Sequence, residues 1–479
     1  MKKLFLSFVL SVAGVLVAAA TSVQIGDFYY ELSGTSATLT QHASYKQMTQ
    51  AIIPPSVNSG GHDYNVTKIA SSAFSGCTEL LTVSIPSSVT YVGNNAFENC
   101  TWLDSVAWHP VRMYDTNYAT NTFPFYNDKK IRKFTFGPTV QRIPAYLCYG
   151  LSNIVSLEFP SGLEFIGANA FCGLTKITEV VLPEGFNSAG RGVFNACSNL
   201  ASINIPSSLT YISDYFLWGT AITEIDIPST VTSIGVYALA GTKLQSVTIP
   251  EGVTEVGDCA FNCQYLKTVV WNAKEATCGT ATNTNPFYNT KLDSIIFGPK
   301  VTYISPYLCY DQNSLTKIYN YSETPQAIKG NVFYNVDKSN CVLYVPIDYV
   351  DLYQAKDVWK EFQHIIGVAT DLQFDNQTVE ITYLKKDETP LYMEAQNWQI
   401  PHAPRIDGFT FVKWQVLAGD LDDGIVLQAV YESDTPTLAP EVFNPANPAQ
   451  KLIREGDVYI LRDDKLYTIT GANVTNQTK

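Results

Sequence analysis

The sequence predicts an α/β solenoid, mainly of parallel β-strands with short helical or 3-10 turns, capped at both ends and followed by a small β-rich domain. The first observation is a phrase that recurs every 22 or 23 residues and is clearest in LLTVSIPSSVTYVGNNAFENC at residues 80–100. The second is that apolar and polar residues alternate at the start of each copy, as in a half-buried strand. A fixed period of this length indicates a repeat array, in which each unit buries its apolar side against its neighbours.

Each repeat divides into a strand, a turn and a compact corner. In the clearest copy, Val83 and Ile85 point inward in a strand that Pro86 ends, because proline has no N–H to donate. Residues 94–100 are predicted to form one helical or 3-10 turn that buries Phe97. We expect the strands of all units to align in one parallel sheet. The eleven copies begin at Leu80, Leu103, Ile131, Ile154, Ile177, Leu200, Ile222, Leu244, Leu266, Leu292 and Leu315.

The N-terminal segment, residues 1–20, is predicted to be a secretory signal peptide with cleavage near Ala20. Lys2 and Lys3 precede an apolar run, and three alanines follow it. A membrane anchor is the alternative, but the run is shorter than the ~20 apolar residues that span a bilayer. We expect no transmembrane span in the mature chain, and residues 21–64 are predicted to form an N-terminal β cap.

The repeats resemble the bacterial leucine-rich repeats of BspA-like surface proteins. The resemblance rests on SVTIPEGVTEVGDCAF at 246–261, EIDIPSTVTSIG at 224–235 and SINIPSSLTYIS at 202–213. It implies a leucine-rich-repeat array over 65–341 and a C-terminal cap over 342–369. Two longer units, 103–130 and 266–291, occupy matching places in an internal duplication: ATNTFPFYN at 119–127 returns as ATNTNPFYN at 281–289.

The C-terminal quarter has a different pattern. Residues 370–432 resemble the Listeria–Bacteroides repeat, a small β-grasp-like module, through ITY at 381, the stretch from Gly408 to Trp414 and the closing AVYE. Residues 433–449 are rich in proline and are predicted to be a linker. Residues 450–479 are predicted to form a β-hairpin tail, either a sorting element or a small packing hairpin.

Composition argues against several functions. The net charge is −13, and we expect no cationic stripe of the kind that binds nucleic acid. The ten cysteines recur at interior positions, which favours buried thiols over disulfides, with a Cys259–Cys263 pair as the alternative. No motif for a catalytic set, a cofactor or a metal is found, so we predict a protein without catalytic residues, cofactor or metal.

Two surfaces are candidates for binding. The outward strand positions carry an acidic stretch made by Glu158, Glu179, Glu224 and Asp226. The first long unit carries Tyr114 and Tyr118, and an insertion in a repeat usually marks a loop on one face. The alternatives are a solvated sheet face and aromatic residues that fill the core.

The resemblance implies a secreted or outer-surface bacterial protein with an adhesin-like role. We expect the partner to be an extracellular protein, from a host matrix or another bacterial surface, with a glycan as the second partner class. A glycan-binding accessory of a nutrient-uptake system and a structural spacer are the alternative functions. An enzyme is a further alternative, for which the sequence gives no sign.

Overall fold

A computed structural model describes residues 22–113, 118–279 and 281–368, followed by the backbone of seven strands between 374 and 468. The predicted signal peptide, Tyr114 and the predicted linker lie outside the described residues. The chain forms two compact units, Met1–Ile366 and Gly367–Lys479. Across the described residues, no helix has the length and apolar character needed to cross a bilayer.

The described residues of the first unit form short strands and turns almost throughout, with few helices. One α-helix, α1, covers Val350–Ala355, and 3-10 helices cover Ala43–Gln47, Ile347–Tyr349 and Trp359–Glu361. The strands of this unit in chain order are β1 (Val23–Ile25), β2 (Phe28–Ser33), β3 (Ser36–Leu39), β4 (Gln50–Ile52), β5 (Ser56–Ser59), β6 (His62–Ile69), β7 (Thr82–Ile85), β8 (Tyr91–Val92), β9 (Ser105–Trp108), β10 (Lys133–Phe136), β11 (Arg142–Ile143), β12 (Phe165–Ile166), β13 (Glu179–Val180), β14 (Ser188–Ala189), β15 (Ser202–Ile203), β16 (Tyr211–Ile212), β17 (Ser233–Ile234), β18 (Ser246–Ile249), β19 (Glu255–Val256), β20 (Thr268–Trp271), β21 (Thr277–Cys278), β22 (Ser294–Phe297), β23 (Lys317–Asn320), β24 (Val342–Pro346) and β25 (His364–Val368).

The repeats form a parallel β-solenoid, but their strands lie in two interrupted rows and not in one sheet. The first row contains the sheets β10-β9-β7-β4, β13-β15 and β18-β20-β22-β23-β24-β25. The second row contains β11-β12-β14 and β16-β17-β19-β21, and β8 extends the N-terminal sheet through β6. The prediction of a single sheet is wrong because each turn of the chain passes through two short extended segments, and a residue such as Pro86 separates them.

The inward positions of the repeat are confirmed. Val83, Ile85 and Phe97 are buried, and the ring of Phe97 stacks between Phe74 and Phe125 with centroid distances of 5.0 and 5.1 Å. Residues 94–99 are hydrogen-bonded turns and not the helical turn expected from sequence. Left-handed backbone at Asn95 and Asn99, with φ of 55° and 58°, stops a helix from continuing there.

A column of glycines sets the contact between successive turns of the solenoid. A Cβ on Gly93 would lie 2.3 Å from the backbone nitrogen of Ser71, and one on Gly167 would lie 2.3 Å from that of Ala145. Any other residue at these positions would therefore force the backbones of two turns apart.

Both ends of the solenoid are covered. At the start, β1, β2 and β3 pair antiparallel, and β3 then pairs in parallel with β6. At the other end, Trp359 is buried and its Nε1 donates to the Gln326 carbonyl at 2.9 Å. Tyr353 likewise donates to the Ser322 carbonyl at 2.7 Å, so both cap residues satisfy carbonyls of the last irregular turn.

The second unit contains only strands among its described residues. They are β26 (Phe374–Asp375), β27 (Thr378–Val379), β28 (Phe409–Asp420), β29 (Gly424–Ser433), β30 (Gln450–Arg454), β31 (Asp457–Arg462) and β32 (Lys465–Thr468). All pairings here are antiparallel: β26 with β27, β28 with β29, and β31 with both β30 and β32. The resemblance of this unit to a β-grasp-like module stays a prediction.

Candidate binding surfaces

The four predicted acidic residues lie exposed on three turns of the solenoid, and the turn of Ser202, between Glu179 and Glu224, carries none of them. Glu179 begins β13 and pairs with Ser202 of β15. The repeat register places Glu224 in the same outward column, one turn beyond Ser202. Glu158 and Asp226 occupy the neighbouring outward column. Successive strands of a sheet are about 4.8 Å apart, so Glu179 and Glu224 lie about 10 Å from each other and do not form one compact cluster.

Two exposed valines lie on the same turns as Glu158 and Glu179. Val155 is 57% exposed and Val181 is 62% exposed, although both belong to the repeat array. We call the surface formed by Glu158, Glu179, Glu224, Asp226, Val155 and Val181 the carboxylate face. Within the described residues, none of its four acidic side chains takes part in an ion pair. It therefore combines exposed apolar area with uncompensated negative charge.

The strand ladder is incomplete beneath the carboxylate face. Residues 154–160 and 221–228 are not strands, and β13 pairs only with β15 among the described strands. Asn204 replaces part of the missing ladder, because its side chain accepts from the Leu182 N–H at 2.7 Å and donates to the Leu182 carbonyl at 2.8 Å. A side-chain amide thus holds the turn that presents Val181.

Tyr118, predicted as a surface residue, is buried. Only 5% of it is exposed, and its hydroxyl donates to the Val92 carbonyl of the preceding turn. The prediction is wrong because the Tyr118 ring packs into the core of the array, where its hydroxyl reaches the carbonyl at the end of β8. Phe125 and Phe287 of the two long units are fully buried, as expected for residues that replace the usual core phenylalanine.

A second exposed surface lies on the first turns of the array. Residues Leu81, Thr82, Trp102, Asp104, Lys130, Arg132 and Asn153 line an open depression of about 580 Å³. We call it the Trp102 groove. Trp102 is 55% exposed, and the Lys130 Nζ lies 3.1 Å from the centroid of its ring. Arg132 pairs with Asp104, with Nε and Oδ1 2.5 Å apart.

The expectation that the chain carries no cationic patch is wrong at this groove. Lys129, Lys130, Arg132 and Lys133 fall within five residues, and all four are exposed. A net charge of −13 hides this local excess, because the average over the chain says nothing about where the charges lie. The run KKIRK was the signal in the sequence that would have found it.

The duplication supplies a second version of this surface with different charges. Tyr265 stands in the place of Trp102 and is 52% exposed. The ion pair is also present but reversed: Lys267 stands where Asp104 does and Asp293 where Arg132 does, with Nζ and Oδ1 3.3 Å apart. The counterpart of Lys133 is Ser294, which is buried.

The first long unit buries an acidic side chain that takes part in no ion pair among the described residues. Asp128 is fully buried, and neither of its carboxyl oxygens has a hydrogen-bond partner among the described residues. Burial raises the pKa of Asp128 from 3.8 to about 8. In both long units this residue follows PFYN, and in the second copy it is Thr290 in place of Asp128. The Thr290 hydroxyl donates to the Phe261 carbonyl at 2.9 Å, so the second copy has a satisfied polar group at this place.

Burial makes several of the cysteine thiols poor nucleophiles, whereas a hydrogen bond with Cys100 lowers the pKa of Cys77. All ten are buried thiols without a disulfide. Burial raises the pKa of Cys172 and of Cys263 to about 11, so these thiols are poor nucleophiles near neutral pH. In the described part of the chain, no three His, Cys, Asp or Glu side chains come together as ligands for a metal ion.

The repeat pattern and the two-row solenoid agree with a family model. The model described as the BspA type leucine rich repeat region matches in six copies, over residues 56–119, 118–242 and 213–340. These matches cover more than half of the chain. The protein belongs to the BspA-type leucine-rich-repeat family. The BspA-type repeats therefore account for the solenoid and include both the carboxylate face and the Trp102 groove.

Solved structures of bacterial leucine-rich-repeat proteins are similar to this chain. One from Bacteroides ovatus is 19% identical, with a TM-score of 0.43 over 72% of this chain and 88% of that one. A leucine-rich cell surface protein from Faecalibacterium prausnitzii is 22% identical, with a TM-score of 0.35 over 66% of this chain and 93% of that one. A leucine-rich-repeat protein from Treponema pallidum is 22% identical, with a TM-score of 0.32 over 47% and 91%. No curated protein matches the chain.

Proposed function

We propose that this protein is an exported, cell-surface binding protein with an adhesin-like role, and that it attaches to an extracellular protein through the carboxylate face without catalysing a reaction. The observation that carries the proposal is the combination of exposed Val155 and Val181 with four unpaired carboxylates. Apolar area surrounded by polar and charged side chains is the usual composition of a protein interface.

The partner that fits this surface is a protein segment with lysine or arginine beside an apolar residue. The carboxylates are spread over several turns, so they complement an extended or broad basic surface and not a single cation. Electrostatic complementarity of this kind accelerates association and selects the partner, whereas apolar contact contributes most of the affinity. Binding should therefore weaken as salt is raised.

The test uses the full chain and a variant with Glu158→Gln, Glu179→Gln, Glu224→Gln and Asp226→Asn, screened for binding to immobilised extracellular-matrix proteins at two salt concentrations. The control variant removes the same number of charges at exposed positions away from this face: Glu31→Gln, Glu79→Gln, Glu255→Gln and Asp351→Asn. We expect binding to be lost in the first variant and kept in the control. An equal loss of binding in both variants would show that net charge alone matters, and it would contradict a specific role of the carboxylate face. Unchanged binding in both variants would also contradict the proposal.

A further inference from the structure

The Trp102 groove is chemically unlike the rest of this acidic protein. It places an exposed indole beside Lys130 and Arg132, with Lys129 and Lys133 adjacent to them in the chain, although the whole chain has a net charge of −13. Among the described residues, Lys129, Lys130 and Lys133 take part in no ion pair. The positive charge here is therefore available to a ligand.

The groove also holds its charges in place. The ammonium group of Lys130 rests 3.1 Å from the Trp102 ring centroid, a cation–π contact that fixes both side chains. On the next turn, Asn153 donates to the Lys129 carbonyl at 2.6 Å, and its own Oδ1 accepts from Lys176 at 2.6 Å. A flat ring, an ordered ammonium and an amide thus line one side of the depression.

The strand that follows Trp102 has no free edge. Strand β9 pairs with β7 on one side and with β10 on the other, and β10 is the last strand of this sheet. An extended peptide gains much of its affinity by adding a strand to a sheet edge, and β9 offers none beside Trp102. Contacts with Trp102 must therefore come from side chains, which favours rings that carry hydroxyl and anionic groups.

From this geometry we infer that the Trp102 groove binds an anionic polysaccharide, a chain of sugar rings that bear carboxylate or sulfate groups. Trp102 contacts the apolar face of a sugar ring, and Lys130 and Lys133 bind its anionic groups. Thr82 and Asn153 offer hydrogen bonds to the ring hydroxyls. This site is separate from the carboxylate face, so its ligand does not depend on the proposed protein partner.

The duplicated surface supplies a comparison within the same chain. Tyr265 and Lys291 keep the aromatic residue and one lysine. Asp293 replaces Arg132, the buried Ser294 replaces Lys133 and Lys267 replaces Asp104, so the net charge falls from +3 for Asp104, Lys129, Lys130, Arg132 and Lys133 to +1 for Lys267, Lys291 and Asp293. We therefore expect the Tyr265 surface to bind anionic sugars far more weakly than the Trp102 groove.

The experiment measures binding of the full chain to immobilised dextran sulfate and to polygalacturonate, with uncharged dextran and poly-glutamate as reference polymers. The sulfate and uronate arms distinguish the two sources of anionic charge. The variants are Trp102→Ala and the pair Lys130→Gln with Lys133→Gln, and the matched control is Tyr265→Ala. Thermal melting of each variant checks that it folds.

We expect binding to at least one of the two anionic polysaccharides and none to dextran. Trp102→Ala and the double lysine variant should each weaken it by about tenfold or more, as for a central contact residue, while Tyr265→Ala leaves it unchanged. Absence of binding to both anionic polysaccharides at low salt would overturn the inference. So would affinity that survives Trp102→Ala, or equally tight binding to poly-glutamate, which would indicate an acidic protein segment as the ligand.

Discussion

The two long units of the array began as copies and now differ mainly at their surfaces. Phe125 and Phe287 are both fully buried, and Trp108 and Trp271 fill matching core positions. Above this shared core, the basic Trp102 groove contrasts with the Tyr265 surface. The comparison teaches that the solenoid fixes the interior of each turn and leaves its outward residues free to change, since each unit needs only its neighbours to bury its core.

The strongest test of the shared core is to remove the same ring from each copy. Phe125→Ala and Phe287→Ala should each lower the free energy of unfolding by about 3–5 kcal/mol, because each leaves a cavity in the stack. Guanidinium unfolding followed by tryptophan fluorescence measures the loss. A large loss of stability for one variant and none for the other would contradict the view that the two copies share the same core packing.

The buried carboxyl of the first copy should make stability depend on pH. The pKa of Asp128 is raised from 3.8 to about 8, so between those values the folded protein holds a proton that the unfolded chain does not. The free energy of unfolding should therefore fall as pH rises through this window. Asp128→Thr, which copies Thr290, should restore about 1–3 kcal/mol above pH 8 and change little at pH 4. Equal effects at both pH values would contradict this account.

The loop of the first copy should depend on one hydroxyl. Tyr118→Phe removes the donor to the Val92 carbonyl and should cost about 0.5–1.5 kcal/mol in the free energy of unfolding. The corresponding residue of the second copy, Thr280, lies outside the described residues. Differential scanning calorimetry measures the cost, and Tyr126→Phe, at a half-buried tyrosine nearby, is the control. An equal cost for both variants would show that the bond to Val92 has no special role.

The smallest effect is expected from exchanging the reversed ion pairs. Asp104→Lys with Arg132→Asp gives the first copy the charges of the second, and exposed pairs contribute only about 0.2–1 kcal/mol. The melting temperature should barely move, and affinity for anionic polysaccharide should change little, because the exchange leaves the net charge of the groove unchanged. A large loss of stability would show that the pair supports the fold and not the surface chemistry.

Much of the interior could be predicted from the sequence because its spacing is periodic. Val83 and Ile85 were assigned inward by alternation alone, and Phe97 by its place in the repeat. The second row of strands was harder to predict, since segments such as β8 contain two residues and carry no alternation to recognise. The single helical turn was expected from the length of residues 94–100, whereas left-handed asparagines close it as a reverse turn.

The surfaces were predicted less well, because exposure in a loop depends on where the chain returns. Tyr118 is an aromatic residue among polar ones, a pattern that fits an exposed binding residue and a buried core residue equally well. Trp102 occupies a position that is polar in most units, and only the folded turn brings Lys130 onto its ring. Glu158, Glu179, Glu224 and Asp226 are exposed as predicted, and Val155 and Val181 on two of the same turns are exposed as well.

The glycine column has a consequence for how this chain changes length. At Gly93, Gly167 and Gly257 a Cβ would lie within 2.3–2.5 Å of the backbone of the preceding turn. Pro144, Ser213 and Ser305 occupy the same repeat position in other turns, so this close approach holds only where glycine is present. At those glycines, a deletion of part of a turn would bring a bulkier residue against the backbone of the neighbouring turn. We therefore expect a change of length at these turns to be tolerated best when a whole turn is gained or lost.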